Sequence, residues 1–305
     1  MTDNLAPNKP TDIQHWLRWA SQALAGVATC PSQEARWLLM ATLDCSASDL
    51  IINTNQILTP AQITRLNERV RACRAGQPLA YVLGHWSFYG MSLKVSPDTL
   101  VPRPETEGLV TAVLAYLEKQ SNEREGAVFR VLDLGTGSGA IALAVAQSRP
   151  DTQVLATDKS LAALQIAQAN GLTLGLHNVS WACMDWCEAL SSSLKFDVIV
   201  SNPPYLRSDD PHLQSAIRHE PKRALVSGPS GLEDITGIAL AAKIRLAPHG
   251  VLMLEHGFDQ GAEAREALAV LGFEYVKTLA DISGHDRIAV GYLTGRPEPG
   301  EQDNG

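Results

Sequence analysis

The chain has 305 residues, 45% of them hydrophobic, with 25 Lys and Arg against 33 Asp and Glu and a formal charge of −8. That length supports one large core or two modest ones, and the acidity argues against a protein that holds long stretches of nucleic acid on a basic surface. No apolar run reaches the roughly 20 residues of a membrane span, and residues 1–10 lack a signal-peptide core.

The charge is uneven. Residues 1–85 hold 7 Lys and Arg against 6 Asp and Glu, a net of +1, and the remainder holds 18 against 27, a net of −9. The first segment therefore carries a different kind of surface from the second. Five cysteines (Cys30, Cys45, Cys73, Cys183 and Cys187) form no Cys-x-x-Cys pair. Buried thiols in a reducing compartment are expected, not a disulfide framework. The expectation is a soluble, cytoplasmic monomer with no membrane partner.

Residues 11–76 read as four short helices. Ile13, Trp16, Leu17, Ala20 and Leu24 recur at helical spacing, with Thr11 or Asp12 as the cap. Pro31 stands near the start of a second helix, followed by Ala35, Leu38 and Leu39. Ser46 caps a third through Ile51, and Thr59-Pro60 opens a fourth that runs to Gly76. A bundle over 1–76 is either a structural cap or a substrate-docking domain, and docking is the expectation. Residues 77–101 read as extended chain, with turns at Gly84 and Gly90, and make a β-hairpin linker. A capping pattern at Thr106 opens a helix through Leu117, followed by a solvated loop over 119–126.

From Val128 strands and helices alternate. Strands are predicted at 128–134, 152–158, 179–184, 196–201, 250–255 and 287–293, and helices at 139–147, 160–169, 233–246 and 260–271. Short strands apolar on both faces mark a parallel sheet covered by helices, a doubly wound α/β domain over 102–294. Residues 295–305 read as a disordered tail.

Val131-Leu132-Asp133-Leu134-Gly135-Thr136-Gly137-Ser138-Gly139 ends a strand and opens a helix. The glycines permit a tight turn and close approach of a ligand. The spacing is not that of a dinucleotide loop. Asp133 would repel a pyrophosphate but accept from an ammonium, so a cofactor with an amino-acid part fits better, although another nucleotide-binding turn stays open. Asp158, at the next strand end, can accept ribose hydroxyls. Asp185 can accept from an adenine amino group, and Trp186 offers an apolar face, unless it only packs in the core.

The fourth strand runs into Asn202-Pro203-Pro204-Tyr205. Two prolines remove two N–H donors and stiffen the backbone. The carbonyls and the Asn202 side-chain oxygen remain as acceptors, and Tyr205 adds a ring for stacking. An amide nitrogen is a poor nucleophile. Acceptors that fix its N–H groups can aim it at a methyl on sulfonium and stabilise the developing charge. The Asn202 side-chain oxygen and the Pro203 carbonyl are assigned that role. By itself the tetrapeptide leaves amide and adenine nitrogens open. Glu255 is a candidate to orient the loop, and His256 reads as a packed histidine. His212, His219 and His285 form no metal cluster with any cysteine, so no metal is expected. Arg103, with Glu105 or Glu107, either closes over the methionine part of the cofactor or forms a pair at the domain junction.

These segments resemble the bacterial release-factor glutamine methyltransferases, the HemK/PrmC family. The resemblance runs from about residue 11 to 293. It rests on the small helical domain, Val101-Pro102-Arg103-Pro104-Glu105-Thr106-Glu107, the Asp133–Gly139 loop, Asn202-Pro203-Pro204-Tyr205 and Leu254-Glu255-His256-Gly257. It implies a class I S-adenosylmethionine-dependent methyltransferase, Rossmann-like, with a mixed, largely parallel seven-stranded sheet. It also implies methylation of N5 of the glutamine in the Gly-Gly-Gln motif of class 1 peptide-chain release factors, modulating translation termination, with S-adenosyl-L-homocysteine as the product. The cofactor is expected at Asp133, Gly135, Thr136, Gly137, Ser138, Gly139, Asp158, Asp185, Trp186 and Asn202. The substrate glutamine is expected at Asn202 through Tyr205, with Arg103 and Glu107 in support. Residue 105 is Glu where many members carry Asp. The main alternative, an N6-adenine methyltransferase, would want a basic groove that the acidic part does not provide. A non-enzymatic adaptor would have no need of Asp133, Asn202 and the glycines. No stable nucleic-acid partner is expected.

Overall fold

A computed structural model describes residues 11–214 and 216–293 of the chain. The expected disordered tail at 295–305 lies outside the described residues. The chain divides into two compact units, Met1–His85 with Gln214–His219, and Trp86–Leu213 with Glu220–Gly305.

The first unit is helical: α1 (Ile13–Leu24), α2 (Pro31–Leu43), α3 (Ala47–Ile52), α4 (Pro60–Arg74) and α5 (Leu79–Leu83). Local chemistry sets the helix starts. Asp12 accepts from the His15 N–H at α1, and Ser46 with Asp49 and Thr59 with Gln62 form capping boxes at α3 and α4. The helices close over a core that includes Trp16, Leu38, Leu39 and Leu66. Tyr81-Val82-Leu83, read as extended, is instead the end of α5. Leu79, Val82 and Leu83 pack on this core at helical spacing, and Gly84, at φ 84°, stops the helix with a left-handed residue. Tertiary packing outweighs the β-preference of the isolated segment.

The hairpin of the second unit pairs β1 (His85–Phe88) with β2 (Met91–Lys94). Its turn residues Tyr89 and Gly90 both have positive φ, as a two-residue hairpin turn requires. Phe88, Met91 and Leu93 are buried in the core of the second unit. The stretch expected as one linker, 77–101, is thus shared between a helix on the first core and a hairpin built into the second.

The sheet has seven strands: β3 (Arg130–Leu134), β4 (Gln153–Asp158), β5 (Val179–Cys183), β6 (Phe196–Ser201), β7 (Leu246–Glu255), β8 (Glu274–Ala280) and β9 (Asp286–Tyr292). Their order is β5-β4-β3-β6-β7-β9-β8. The first five run parallel, and β9 is antiparallel to both β7 and β8. The helices are α6 (Thr106–Glu123), α7 (Ala140–Ser148), α8 (Leu161–Thr173), α9 (Glu233–Lys243) and α10 (Gly261–Val270). Successive strand residues point to opposite faces. Val131, Val198, Val200, Val251 and Met253 meet α6, α7 and the hairpin. Leu132, Ile199, Leu252 and Leu254 meet α9 and α10.

Two further expectations are corrected. The loop over 119–126 begins later, because α6 continues to Glu123. No Gly or Pro interrupts that turn, and Gln120 is buried and donates to Glu123. The strand β8, absent from the predicted elements, lies at the sheet edge with most of its residues exposed or half-buried. It lacks the apolar run that marked the other strands.

Candidate active site

The carboxyl ends of parallel strands where the order reverses form a ligand crevice in doubly wound sheets. Here β3 and β6 are neighbours at that reversal. A cavity of about 400 Å³ opens there, walled by the Gly135–Ser138 loop, Asp158, Lys159, Asp185, Trp186, Asn202, Pro204 and Thr106, and by residues from 98–102 and 223–226.

Gly135, Gly137 and Gly139 all have positive φ, at 70°, 57° and 86°. Each has its own reason to lack a side chain. A Cβ at Gly135 would stand 3.1 Å from the Trp186 ring, and one at Gly139 would stand 2.8 Å from Leu143. Gly137 meets nothing within 4 Å and faces the cavity. Polar bonds hold the turn. The Thr136 N–H donates to the Thr157 carbonyl at 2.9 Å, and the Gly137 N–H donates to Asp158 Oδ2 at 2.9 Å. Asp158 Oδ1 accepts the Ser160 N–H at 2.8 Å. Each carboxylate oxygen thus accepts one backbone N–H and retains further acceptor capacity, and Asp158 lines the cavity.

Asp133 lies behind the loop. Its Oδ2 accepts from the Thr136 hydroxyl at 2.6 Å and from the Ala142 N–H at 3.2 Å, while its Oδ1 is buried with no partner. Burial pushes this carboxyl up to about 7. Carboxylates in and beneath the wall (Asp133, Asp158, Asp185) disfavour a pyrophosphate and suit a cationic ligand with hydroxyls and an ammonium group. S-adenosylmethionine has that character, so the residues present fit it.

Asp185 lines the cavity. Its Oδ2 is paired with Lys159 Nζ at 2.5 Å, so an adenine amino group has only its other oxygen to itself. Trp186 packs partly on the core of the α9 face and also lines the cavity. Its backbone is left-handed, φ 45°, and its carbonyl accepts from the Thr157 hydroxyl at 2.8 Å.

At the end of β6, the Ser201 hydroxyl donates to the Leu134 carbonyl at 2.6 Å and ties the two strand ends together. Asn202 follows. Its Nδ2 donates to Thr106 Oγ1 at 3.0 Å, and its Oδ1 is buried without a partner. Pro203 and Pro204 are buried. Asn202 and Pro204 wall the cavity, whereas Pro203 and Tyr205 are not among its lining residues. The Tyr205 carbonyl accepts from Gln260 Nε2 at 3.0 Å, and its N–H donates to the Leu225 carbonyl at 3.2 Å. Burial first, then the Glu255 charge, pushes its phenol up to about 12.

Arg103 and Glu107 are not in the cavity wall. Arg103 pairs with Glu220, not with Glu105 or Glu107, and Glu107 accepts from the Tyr89 N–H at 2.8 Å. Thr106 is the first residue of α6 and caps nothing; its hydroxyl is turned to Asn202. His256 is buried, with Nδ1 against the Gly257 carbonyl at 2.8 Å, and burial lowers its pKa. Among the described residues no cluster of three or more His, Cys, Asp or Glu is arranged to hold a metal, and no helix is long and apolar enough to cross a membrane. Sequence reasoning missed Thr106 and Glu220. Thr106 looks like an ordinary cap, and Glu220 carries no local signal beyond its place before Pro221.

Residues 15–84 match the PrmC N-terminal domain, and residues 111–230 match the Methyltransferase small domain. The chain is 44% identical over 263 residues to the release factor glutamine methyltransferase of Xylella fastidiosa strain Temecula1, covering 86% of this chain and 93% of that one. It is 43% identical over 269 residues to that of Neisseria gonorrhoeae, covering 87% and 95%. It is 38% identical over 281 residues to that of Escherichia coli strain K12, covering 92% and 98%. The chain belongs to the release factor glutamine methyltransferase family. Among solved structures, the hMettl16 catalytic domain in complex with MAT2A 3′UTR hairpin 6 is similar with a TM-score of 0.53 at 16% identity, covering 80% of this chain and 86% of that one. At that identity the likeness concerns the fold, a class I methyltransferase sheet. Members of the release factor glutamine methyltransferase family are enzymes that use S-adenosylmethionine. The glycine loop, Asp158 and Asn202 lie together around one cavity.

Proposed function

We propose that this protein transfers the methyl group of S-adenosylmethionine to N5 of the glutamine in the Gly-Gly-Gln motif of class 1 release factors. The observation that carries this reading is the Asn202 side-chain oxygen, which is buried at the cavity wall with no protein partner. A buried polar oxygen left unpaired costs about 1–3 kcal/mol, and a substrate N–H satisfies it.

When bound, S-adenosylmethionine supplies a methyl group on a sulfonium. The chain supplies the alignment. Gly137 leaves room beside the loop, Asp158 accepts hydroxyls, and Asp133 places a carboxylate behind the loop. Asn202 Oδ1 accepts an N–H of the substrate amide and directs its nitrogen. The Pro203 carbonyl is proposed as the second acceptor. As positive charge develops on that nitrogen, the same acceptors stabilise it. The proton leaves after the methyl has transferred, so no strong base is needed.

Within the same proposal the first unit docks the release factor, and the protein works as a monomer in the cytoplasm, where translation terminates, with no stable nucleic-acid partner. The charge of −8 supports the last point. Incubation with S-adenosylmethionine and a release factor, followed by peptide mass spectrometry, should place one methyl group on the Gly-Gly-Gln glutamine. Methyl transfer to adenine instead would overturn the reading. Removing residues 1–85 should raise KM for intact release factor far more than for a short Gly-Gly-Gln peptide; equal effects would exclude docking.

A further inference from the structure

Asn202 can turn either end of its amide to the cavity, and the two orientations are nearly identical in shape. They are opposite in chemistry. Oδ1 accepts from a substrate N–H, whereas Nδ2 would set donor against donor. Packing alone does not choose between them, so a hydrogen-bond partner must.

The partner is Thr106, whose Oγ1 accepts from Asn202 Nδ2 at 3.0 Å. Behind both stands Glu255 at the end of β7, 2% exposed. The register of β6 on β7 sets Ser201 beside Leu254 and so brings Glu255 next to Asn202; the Thr106 and Asn202 side chains both act on its carboxyl to oppose the rise that burial causes, and its Oε2 is buried without a partner. A carboxylate only accepts. The Thr106 hydroxyl therefore directs its one proton to Glu255 and turns a lone pair to Asn202. That lone pair holds Nδ2 and leaves Oδ1 on the substrate side. The direction of the last hydrogen bond is set by the first.

We propose that Glu255 and Thr106 are positioning residues that lock the Asn202 amide with its oxygen toward the substrate nitrogen. This rests on the function proposed above and identifies what sets the productive geometry of its acceptor. Neither residue need touch the methyl group. The loss on disruption should appear in kcat, with cofactor affinity kept.

Thr106→Val keeps the shape and removes the hydroxyl. Glu255→Gln keeps the size and can offer a donor where only an acceptor works. Both should lower kcat on a release factor on the order of 10²-fold, with S-adenosylmethionine affinity by calorimetry close to that of the parent. Thr106→Ser, which restores donor and lone pair, should recover most of the rate. In the parent the rate should fall as pH drops through about 7, where the carboxyl takes up a proton and becomes a donor. The groups facing it are Arg287, Glu105, Tyr205, Thr106 and Asn202. Glu255→Gln should lose the Glu255 share of this limb and keep only what Asp133, raised by burial to the same range, contributes. An active parent with either variant turning over near its rate would overturn the proposal while leaving the function intact. A parent that does not methylate a release factor would overturn the functional reading, and this proposal with it.

Discussion

Arg103 and Glu220, 117 residues apart in sequence, form an ion pair of 2.5 Å in which the carboxylate side chain is 2% exposed and the guanidinium side chain 33%. The other Glu220 oxygen accepts the Val101 N–H at 3.0 Å. The pair therefore joins two segments that both contribute walls to the cavity: Leu100 and Pro102 on one, Arg223, Ala224 and Val226 on the other. Arg103 itself does not line the cavity but ties two stretches of its wall together.

Glu220→Ala should strand the Arg103 charge and the Val101 N–H. The guanidinium is one-third exposed and can turn to water, so the loss should fall below the roughly 3–5 kcal/mol of a fully buried pair, with the unpaired Val101 N–H adding about 1–3 kcal/mol; a reduced denaturation midpoint is expected. S-adenosylmethionine affinity should fall as well, since the wall segments lose their tie. Denaturant titration and calorimetry check both, and unchanged affinity in a destabilised variant would limit Glu220 to the fold.

Asn202→Ala should lower kcat on the order of 10²-fold while S-adenosylmethionine affinity changes little. The variant removes an acceptor for the substrate nitrogen and leaves the glycine loop and Asp158 in place. Steady-state kinetics with a release factor, alongside calorimetry, measures the separation. A near-normal kcat would remove Asn202 from the reaction.

Gly137 and Gly139 should fail in different ways. Ala at either position adopts a left-handed backbone, a cost of about 1–2 kcal/mol. At Gly139 it also meets Leu143 at 2.8 Å and the Ala167 Cβ at 3.2 Å, so Gly139→Ala should lose more stability. At Gly137 the methyl group enters the cavity, so Gly137→Ala should lose cofactor affinity out of proportion to its stability. Melting temperatures and binding isotherms of the two variants decide this.

Asp133 and Glu255 give the unliganded protein a pH signature. Burial raises both carboxyls in the folded state to about 7, above their values of about 4 in an unfolded chain. Between those limits the native state binds more protons than the unfolded state, so stability falls as pH rises. Their contribution is complete below pH about 4 and is lost by pH about 8. Melting curves of the parent and of Asp133→Asn across this window should show a weaker dependence in the variant over pH 5–8. Parallel slopes would show that Asp133 ionises as an ordinary surface acid.

What was legible in the sequence was local. The glycine loop declares itself because positive φ at Gly135, Gly137 and Gly139 excludes most side chains. Asn202-Pro203-Pro204-Tyr205 declares itself because two prolines at a strand end remove donors. The Thr59-Pro60 helix start needs only its own turn. The relationships that complete the site cross the chain and leave no local trace: Thr106 with Asn202, Glu220 with Arg103, Lys159 with Asp185. The exposed strand β8 was hidden for another reason. An edge strand has one neighbour and much solvent, so its composition is free to look like a loop, and Tyr275 interrupts its backbone with φ 48°.

Gly135 and Trp186 have a consequence for how this chain can vary over evolutionary time. The indole lies where the missing side chain of residue 135 would be, with 3.1 Å between the ring and the position of a Cβ. A side chain at 135 needs the ring at 186 to give by a few tenths of an ångström and must also bear a left-handed backbone of φ 70°. Glycine at 135 is therefore held by two separate constraints, its backbone and its neighbour, and a change at 186 relieves only the second.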